Sequence, residues 1–409
     1  MAGEIPNDWK VLKIRAVTSL TSKKNHPELQ VLSVYRDYGV IPKDSRDDNH
    51  NATSMDTSTY KIVEEGDLVV NKMKAWQGSM GVSSYNGIVS PAYLICKIYT
   101  NHINPKFLHY LLRSKSYIGV YNSLSYGVRV GQWDMHYDDF KKIPIPIPSK
   151  KQQKCIVQFL DQKTAEIDQT IEKKQQLIDL LREQKAILIN QAVTKGLNPN
   201  VPMKESGVEW IGKTPAHWNK KRAKYLFTQS RLSVRKQDDV VTAYRDGEVT
   251  LRKNRRLQGY TNAILEQGYQ GIRKGQLVLN SMDAFAGAIG VSDSEGKCSP
   301  EYVICNPRDP EELDPYYYAL LLREMALANY IEVICSAVRQ RALRIRYNNL
   351  APLFFPVPPK KEQTKIVKNI EIIKNKIENI LENLKNELAI INEYKQTLIT
   401  NAVTGKIKI

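Results

Sequence analysis

From residue 152 to 194 the chain carries neither proline nor glycine, and the same holds from 362 to 404. In the second stretch Ile370, Ile377, Leu384, Ile391 and Leu398 recur every seven residues. Ile373, Ile380 and Tyr394 stand three further on, with a lapse at Glu387 that Leu381 and Leu388 are placed to cover. In the first stretch Leu160, Ile167, Leu181 and Leu188 keep the phase, and Lys174 breaks it. An apolar seven-residue repeat is a coiled-coil seam, so both stretches predict long helices. At roughly forty residues each would extend about 60 Å. Neither helix is apolar all round, so each needs a partner. The other helix is the nearest candidate, and a twofold relation would make the pair antiparallel.

The remaining chain shows a different pattern. Short β-branched segments alternate with glycine turns at Leu29–Val34, Val63–Val70 and Ile272–Leu279, and again from Val240 to Ala243. Pro105–Arg113 and Pro315–Arg323 have helical spacing behind an N-terminal proline. Segment by segment, this half of the pattern occurs twice. Gly66-Asp-Leu-Val-Val-Asn71 returns as Gly275-Gln-Leu-Val-Leu-Asn280, and Ser90-Pro-Ala-Tyr-Leu-Ile-Cys96 as Ser299-Pro-Glu-Tyr-Val-Ile-Cys305. Pro146-Ile-Pro148 with Lys150, Lys151 and Gln153 returns as Pro356-Val-Pro358 with Lys360, Lys361 and Gln363. The shift is 209 positions early in the repeat and 210 later. A period this long means two domain-sized units rather than a solenoid.

The expected fold is therefore α+β: two globular α/β domains related by a pseudo-twofold, separated by two long antiparallel helices. The boundaries fall at 1–149 for the first domain, 150–196 for its helix, 197–209 for a linker, 210–359 for the second domain and 360–409 for its helix. Proline, glycine and asparagine between Lys195 and Gly207 predict a loop. Each domain opens on a proline–tryptophan pair, Pro6 with Trp9 and Pro215 with Trp218. We read these pairs as the docking start of a domain, because the rigid ring and the large indole suit a packed slot.

A chain of 409 residues with 42% hydrophobic positions can bury real cores. Its formal charge of +17 and pI near 9.4 favour a polyanionic partner, nucleic acid before a membrane surface. The five cysteines have no Cys-x-x-Cys spacing, which argues against a zinc ribbon and fits a reducing compartment. Cys96 and Cys305 read as small buried hydrophobes at a strand end. The N-terminus has no apolar leader, and no stretch approaches the 18 apolar residues of a membrane span. A cytoplasmic location is expected.

Catalytic motifs are missing. We find no phosphate-binding Gly-x-x-x-x-Gly-Lys, no Gly-x-Gly-x-x-Gly and no Asp/Asn-Pro-Pro-aromatic string that would hold a base amino group. The six histidines have no metal spacing. Glu64, Glu65, Asp67 and Lys72 only loosely resemble a nuclease set, and the other copy has Gly275, Gln276 and Ser281 there. Cations and amides are plentiful instead. Lys72, Lys74, Trp76 and Gln77 share one predicted loop. Tyr126, Arg129 and Gln132 hold the place of Ala337-Val-Arg339 with Gln340 nearby, and Arg341 follows in the same basic run. Arg252, Lys253, Arg255 and Arg256 put four cations in five residues. Arginine bridges guanine O6 and N7, amides bridge adenine, and lysine mostly neutralises phosphate. These fourteen residues are the expected DNA contacts. Within the chain the two copies agree at glycine, proline and strand positions and differ where these side chains fall.

Taken together, the chain resembles the specificity subunits of type I restriction–modification systems. The resemblance rests on the Gly-x-x-Pro-x-x-Trp openings at 3–9 and 212–218 and on the duplicated strings at 66, 90, 275 and 299. It rests also on the Pro-(x)-Lys-Lys-x-Gln entries at 147–153 and 357–363, and on the helix ends Ala192-Val-Thr-Lys-Gly196 and Ala402-Val-Thr-Gly405. It covers essentially the whole chain. It implies that each globular unit is a target recognition domain reading half of a bipartite double-stranded DNA site, and that the helices set the gap. It implies no catalysis by this chain. Two modification subunits would bind S-adenosylmethionine and methylate adenine, and restriction subunits would use ATP and Mg. A stand-alone DNA-modifying enzyme with an unrecognised site, or a helical scaffold that touches no DNA, are the other readings.

Overall fold

The computed structural model describes residues 5–36, 38–46, 56–127, 133–255, 268–335 and 344–409. The chain forms two compact units, Met1–Gln176 with Leu384–Ile409, and Leu177–Asn383.

In the first unit a four-stranded antiparallel sheet is built from β1 (Thr18–Thr21), β2 (Leu68–Asn71), β3 (Met80–Val82) and β4 (Tyr93–Ile98), in the order β1-β4-β2-β3. Helix α1 (Pro105–Leu112) follows, and α2 (Lys150–Lys195) begins here. The second unit repeats the plan with β5 (Phe227–Gln229), β6 (Leu277–Asn280), β7 (Ile289–Val291) and β8 (Tyr302–Pro307), in the order β5-β8-β6-β7. Helix α3 (Pro315–Leu327) takes the place of α1, and α4 (Lys360–Val403) that of α2. The internal repeat is thus a repeat of topology.

Each first turn after the sheet is capped as its sequence predicts. Asn104 Oδ1 accepts from the Lys106 and Phe107 amides, Asp314 Oδ1 accepts from the Tyr316 amide, and Pro105 or Pro315 stands where no amide partner is needed.

Three details differ from the sequence reading. The apolar runs at 63–70 and 272–279 are not single strands. Each is cut by a tight turn, closed by the Glu64 amide on Asp67 Oδ2 at 2.9 Å and by the Arg273 amide on Gln276 Oε1 at 2.6 Å. Cys96 and Cys305 lie in mid-strand, opposite Leu68 and Leu277. Burial pushes both thiols up to about 12, so they stay protonated and pack as small hydrophobes. The stretch read as a loop carries the strand Met203–Glu205, paired antiparallel with Lys213–Pro215. Its exposed side chains gave no apolar alternation to find.

Leu160, Ile370, Ile377 and Leu384 are buried, and Ile167, Leu181, Leu188, Ile391 and Leu398 are half-buried. The second seam position falls on Leu381 and Leu388, which are half-buried, whereas Ile380 and Tyr394 are exposed. A helix of 3.6 residues per turn drifts from a strict seven-residue repeat, which moves the facing position one residue on.

In the first unit Asp168 pairs with Lys395 at 2.6 Å and Lys174 with Glu387 at 2.5 Å; in the second Lys185 pairs with Glu378 at 2.7 Å. Rising numbers on one helix meet falling numbers on the other, so the segments paired in each unit run antiparallel. Lys174 and Glu387 are the two breaks in the heptad pattern, and they neutralise each other.

The core of each unit therefore takes in helix ends from both halves of the sequence. Ile156, Val157 and Leu160 from the start of α2 join Ile399, Ala402 and Val403 from the end of α4 in the first core. Ile366 and Ile370 join Ile189, Ala192 and Val193 in the second. The proline–tryptophan openings receive the arriving helix ends. A Cβ on Gly405 would lie 2.4 Å from Pro6 Cγ and 3.2 Å from Trp9, so only glycine allows this close approach.

The Lys-Lys-x-Gln entries have a physical reason as well. Gln153 is buried; its Oε1 accepts from the Asn104 amide at 2.7 Å, and its Nε2 donates to the Pro148 carbonyl at 2.9 Å. Gln363 does the same for the Asp314 amide and the Pro358 carbonyl, both at 2.8 Å. Each glutamine ties the α1 or α3 cap to the entry of a long helix. Gln153→Ala strands a buried donor and a buried acceptor, so urea unfolding should show a loss of about 1–3 kcal/mol.

Candidate nucleic-acid interface

Lys72, Lys74, Trp76 and Gln77 do share one piece of structure, but it is a short 3-10 helix, Lys72–Gln77, directly after β2. Gly78 ends it at φ 85°, and a Cβ there would lie 2.9 Å from Ile118. The second unit turns the same way at Ala284–Ala286 and Gly287, with φ 90°. The glycines keep register because both turns need a left-handed residue. The side chains on the turns are free to differ, and Ser281, Asp283, Phe285 and Ala286 replace the first set.

A strap runs beside this turn in the first unit. Tyr126 and Asp134 bridge antiparallel, and the Met135 amide donates to the Lys72 carbonyl at 3.1 Å. Trp133 meets Trp76 edge to face at 5.2 Å, and Tyr126 stacks on His136 at 5.0 Å. Lys72 Nζ stands 3.7 Å from Asp134 Oδ2. Lys74 is exposed, and no ion pair to it occurs among the described residues. So Lys72, Lys74, Trp76, Gln77 and Tyr126 are brought to one surface. Sequence reading missed Trp133, Asp134 and His136 there; the signal was a run of aromatic and charged residues directly behind Gln132.

The basic cluster of the second unit sits differently. Arg252–Asn254 is a 3-10 turn after the strand Val249–Leu251. Lys253 pairs with Asp239 at 2.6 Å, and Arg255 pairs with Asp246 and with Glu248 at 2.9 Å while lying over the Tyr244 ring at 4.3 Å. Arg252 Nε donates to Thr242 Oγ1 at 3.3 Å. Adjacent charges in sequence thus find their counterions on the neighbouring hairpin, which a count along the chain does not see. Arg129, Gln132, Arg256, Arg339, Gln340 and Arg341 lie outside the described residues.

Among the described residues no group of histidines, cysteines and carboxylates could hold a metal ion, and no helix is long and apolar enough to cross a membrane.

The two units share one α/β plan and a paired-helix seam, and the surface beside the turn after the second sheet strand differs between them. Comparison with known proteins bears on the same point. Residues 6–179 match the family model described as the type I restriction modification DNA specificity domain. The chain is 23% identical to the putative type I restriction enzyme MjaX specificity subunit of Methanocaldococcus jannaschii, over all of this chain and 95% of that one. It is 21% identical to the type I restriction enzyme EcoDI specificity subunit of Escherichia coli, over 99% and 90%. A solved chain from work on assembly and conformational transition of a type I restriction–modification system superposes at TM-score 0.65, with 14% identity over 99% of this chain and all of that one. That last likeness speaks to the fold alone. Residues 6–179 match the specificity-domain family, and over its whole length the chain is similar to the specificity subunits of type I restriction–modification systems.

Proposed function

We propose that each globular domain reads one half of an asymmetric, bipartite duplex target, and that the paired helices set the gap between the halves. The observation that carries this reading is the contrast between the copies. One topology is used twice, yet Trp76, Gln77 and His136 in one copy are replaced by Phe285, Ala286 and Arg346 in the other. Two readers of the same sequence would have no use for that difference. Phosphate contacts position such a protein, and base-edge contacts specify the sequence.

The chain contributes recognition and assembly, not chemistry. Modification subunits would bring S-adenosylmethionine and transfer a methyl group to adenine, and restriction subunits would bring ATP and Mg. Leu180, Ile372 and Ile390, each more than three-fifths exposed, leave apolar positions on the long helices for the modification subunits to cover.

A gel-shift with the modification subunits present tests the reading. Sequence-selective retardation of a gapped target supports it; binding with no sequence preference contradicts it. Methyl transfer by this chain alone would instead make it an enzyme, and an assembled complex with no DNA affinity would make it a scaffold.

A further inference from the structure

Two exposed cations stand at the same two places in both domains. In the first domain they are Lys13 and Arg15, and 209 residues on they are Arg222 and Lys224. The equivalence is structural as well as numerical. The strand Lys10–Lys13 pairs antiparallel with Pro144–Ile147, and Asn219–Arg222 pairs the same way with Phe354–Val357. A short helical turn follows each strand, Ile14–Ala16 or Ala223–Leu226. The Ile14 and Arg15 amides donate to the Ile143 and Lys141 carbonyls at 3.0 and 3.1 Å. The Ala223 and Lys224 amides donate to the Leu353 and Ala351 carbonyls at 2.8 and 3.1 Å.

No ion pair to any of these four side chains occurs among the described residues. The acids of the helix beside Arg15, Asp138 and Asp139, have Lys141 and Lys142 as their counterions. The matching helix of the second domain, Tyr347–Leu350, carries no acid. Arg222 lies over the Phe354 ring and Lys224 over the Tyr225 ring, each at 5.0 Å. A ring face attracts a cation and leaves its charge in place. Between the copies the charge is kept while the side chain is exchanged: lysine precedes arginine in one and follows it in the other. An arginine that forks onto a base edge or a carboxylate does not tolerate lysine. A contact that needs only positive charge does, and the phosphodiester backbone of a duplex is such a partner.

The position fits that partner. In the first domain the short helix Tyr137–Phe140 leads from the strap, where the Met135 amide meets the Lys72 carbonyl, to Lys141 against Arg15. In the second, Tyr347–Leu350 leads from Ile345, whose carbonyl accepts the Ser281 hydroxyl at 2.7 Å, to Ala351 against Lys224. Four helical residues span about 6 Å, and a major groove is about 12 Å wide. A strap set over the groove therefore brings the cation pair toward the phosphate ridge that borders it.

We infer that Lys13 with Arg15, and Arg222 with Lys224, form a phosphate-binding pair in each domain that grips the duplex whatever its sequence. The inference rests on the DNA-reading function proposed above and adds which side chains hold the duplex without reading it. Readers of two different half-sites must differ between the copies. Holders of one common backbone need only share their charge.

The complex of the full chain with its modification subunits can be bound to duplex libraries of randomised sequence at several salt concentrations. The variants are Lys13→Gln with Arg15→Gln, and Arg222→Gln with Lys224→Gln. All four side chains are exposed, so glutamine leaves both cores as they are. Each double variant should lower the slope of log K against log salt by about 1.8 and weaken binding about fiftyfold at 0.1 M salt, with the sequences selected unchanged. Lys13→Arg with Arg15→Lys should bind as the natural chain does. An unchanged slope overturns the inference. A changed base preference also overturns it, by making these residues readers, and failure to assemble with the modification subunits does so by making them a protein contact. A natural complex that selects no sequence overturns the function proposed above, and the slope still decides the inference.

Discussion

Trp218→Ala is expected to lower the stability of the chain by about 3–5 kcal/mol, among the largest losses of any single truncation. The indole is 1% exposed and meets Tyr317 edge to face at 6.4 Å. It also lies 3.3 Å from the place a Cβ on Gly196 would take, at the end of α2. Removing it therefore opens a cavity where a helix end docks, and Gly196 at that end brings no side chain of its own to fill it. The indole Nε1 is buried without a partner, so the stabilisation comes from packing and not from that N–H. Trp218→Phe should for that reason cost much less than alanine. Equilibrium unfolding of the two variants separates these outcomes, and a loss below about 1 kcal/mol for alanine would contradict the docking role.

The second large effect is on DNA affinity. Lys72→Gln together with Lys74→Gln removes two cations from the turn after β2. Each phosphate contact contributes about 0.9 to the slope of log K against log salt, so two lost contacts weaken binding about fiftyfold at 0.1 M salt. The loss should fall equally on all sequences, because lysine at phosphate carries no sequence information. Titrations of the assembled complex at several salt concentrations measure both quantities. An unchanged slope would move the phosphate-binding surface elsewhere in the domain.

Much of the fold was legible in the sequence, and the reasons are physical. Heptad spacing survives as burial because seam residues must face a partner, and the duplicated glycines survive because two turns need left-handed backbone. The boundary of a strand is harder to see. The turn at Glu64–Asp67 is closed by a side chain, and nothing in an apolar run announces that. The two heptad breaks carried more information than they first offered. Lys174 and Glu387 are opposite charges at lapses of one seam, and their ion pair was implied by an antiparallel register.

The interface was legible in kind and not in place. Basic residues next to each other at 252–255 read as a patch, but Asp239, Asp246 and Glu248 lie on the hairpin that carries them. Distance along the chain hides such counterions. Asp134 was missed for the converse reason. A lone acid in a basic protein looks like solvated surface until the strap sets it beside Lys72 and two aromatic pairs.

The most direct test of the whole account is the map of methylated bases in the host genome, with this gene present and deleted. Two different short half-sites at a fixed gap, carrying methyladenine and lost on deletion, are the result expected. An uninterrupted motif, a palindrome of identical halves or a methylation pattern indifferent to the deletion would contradict it.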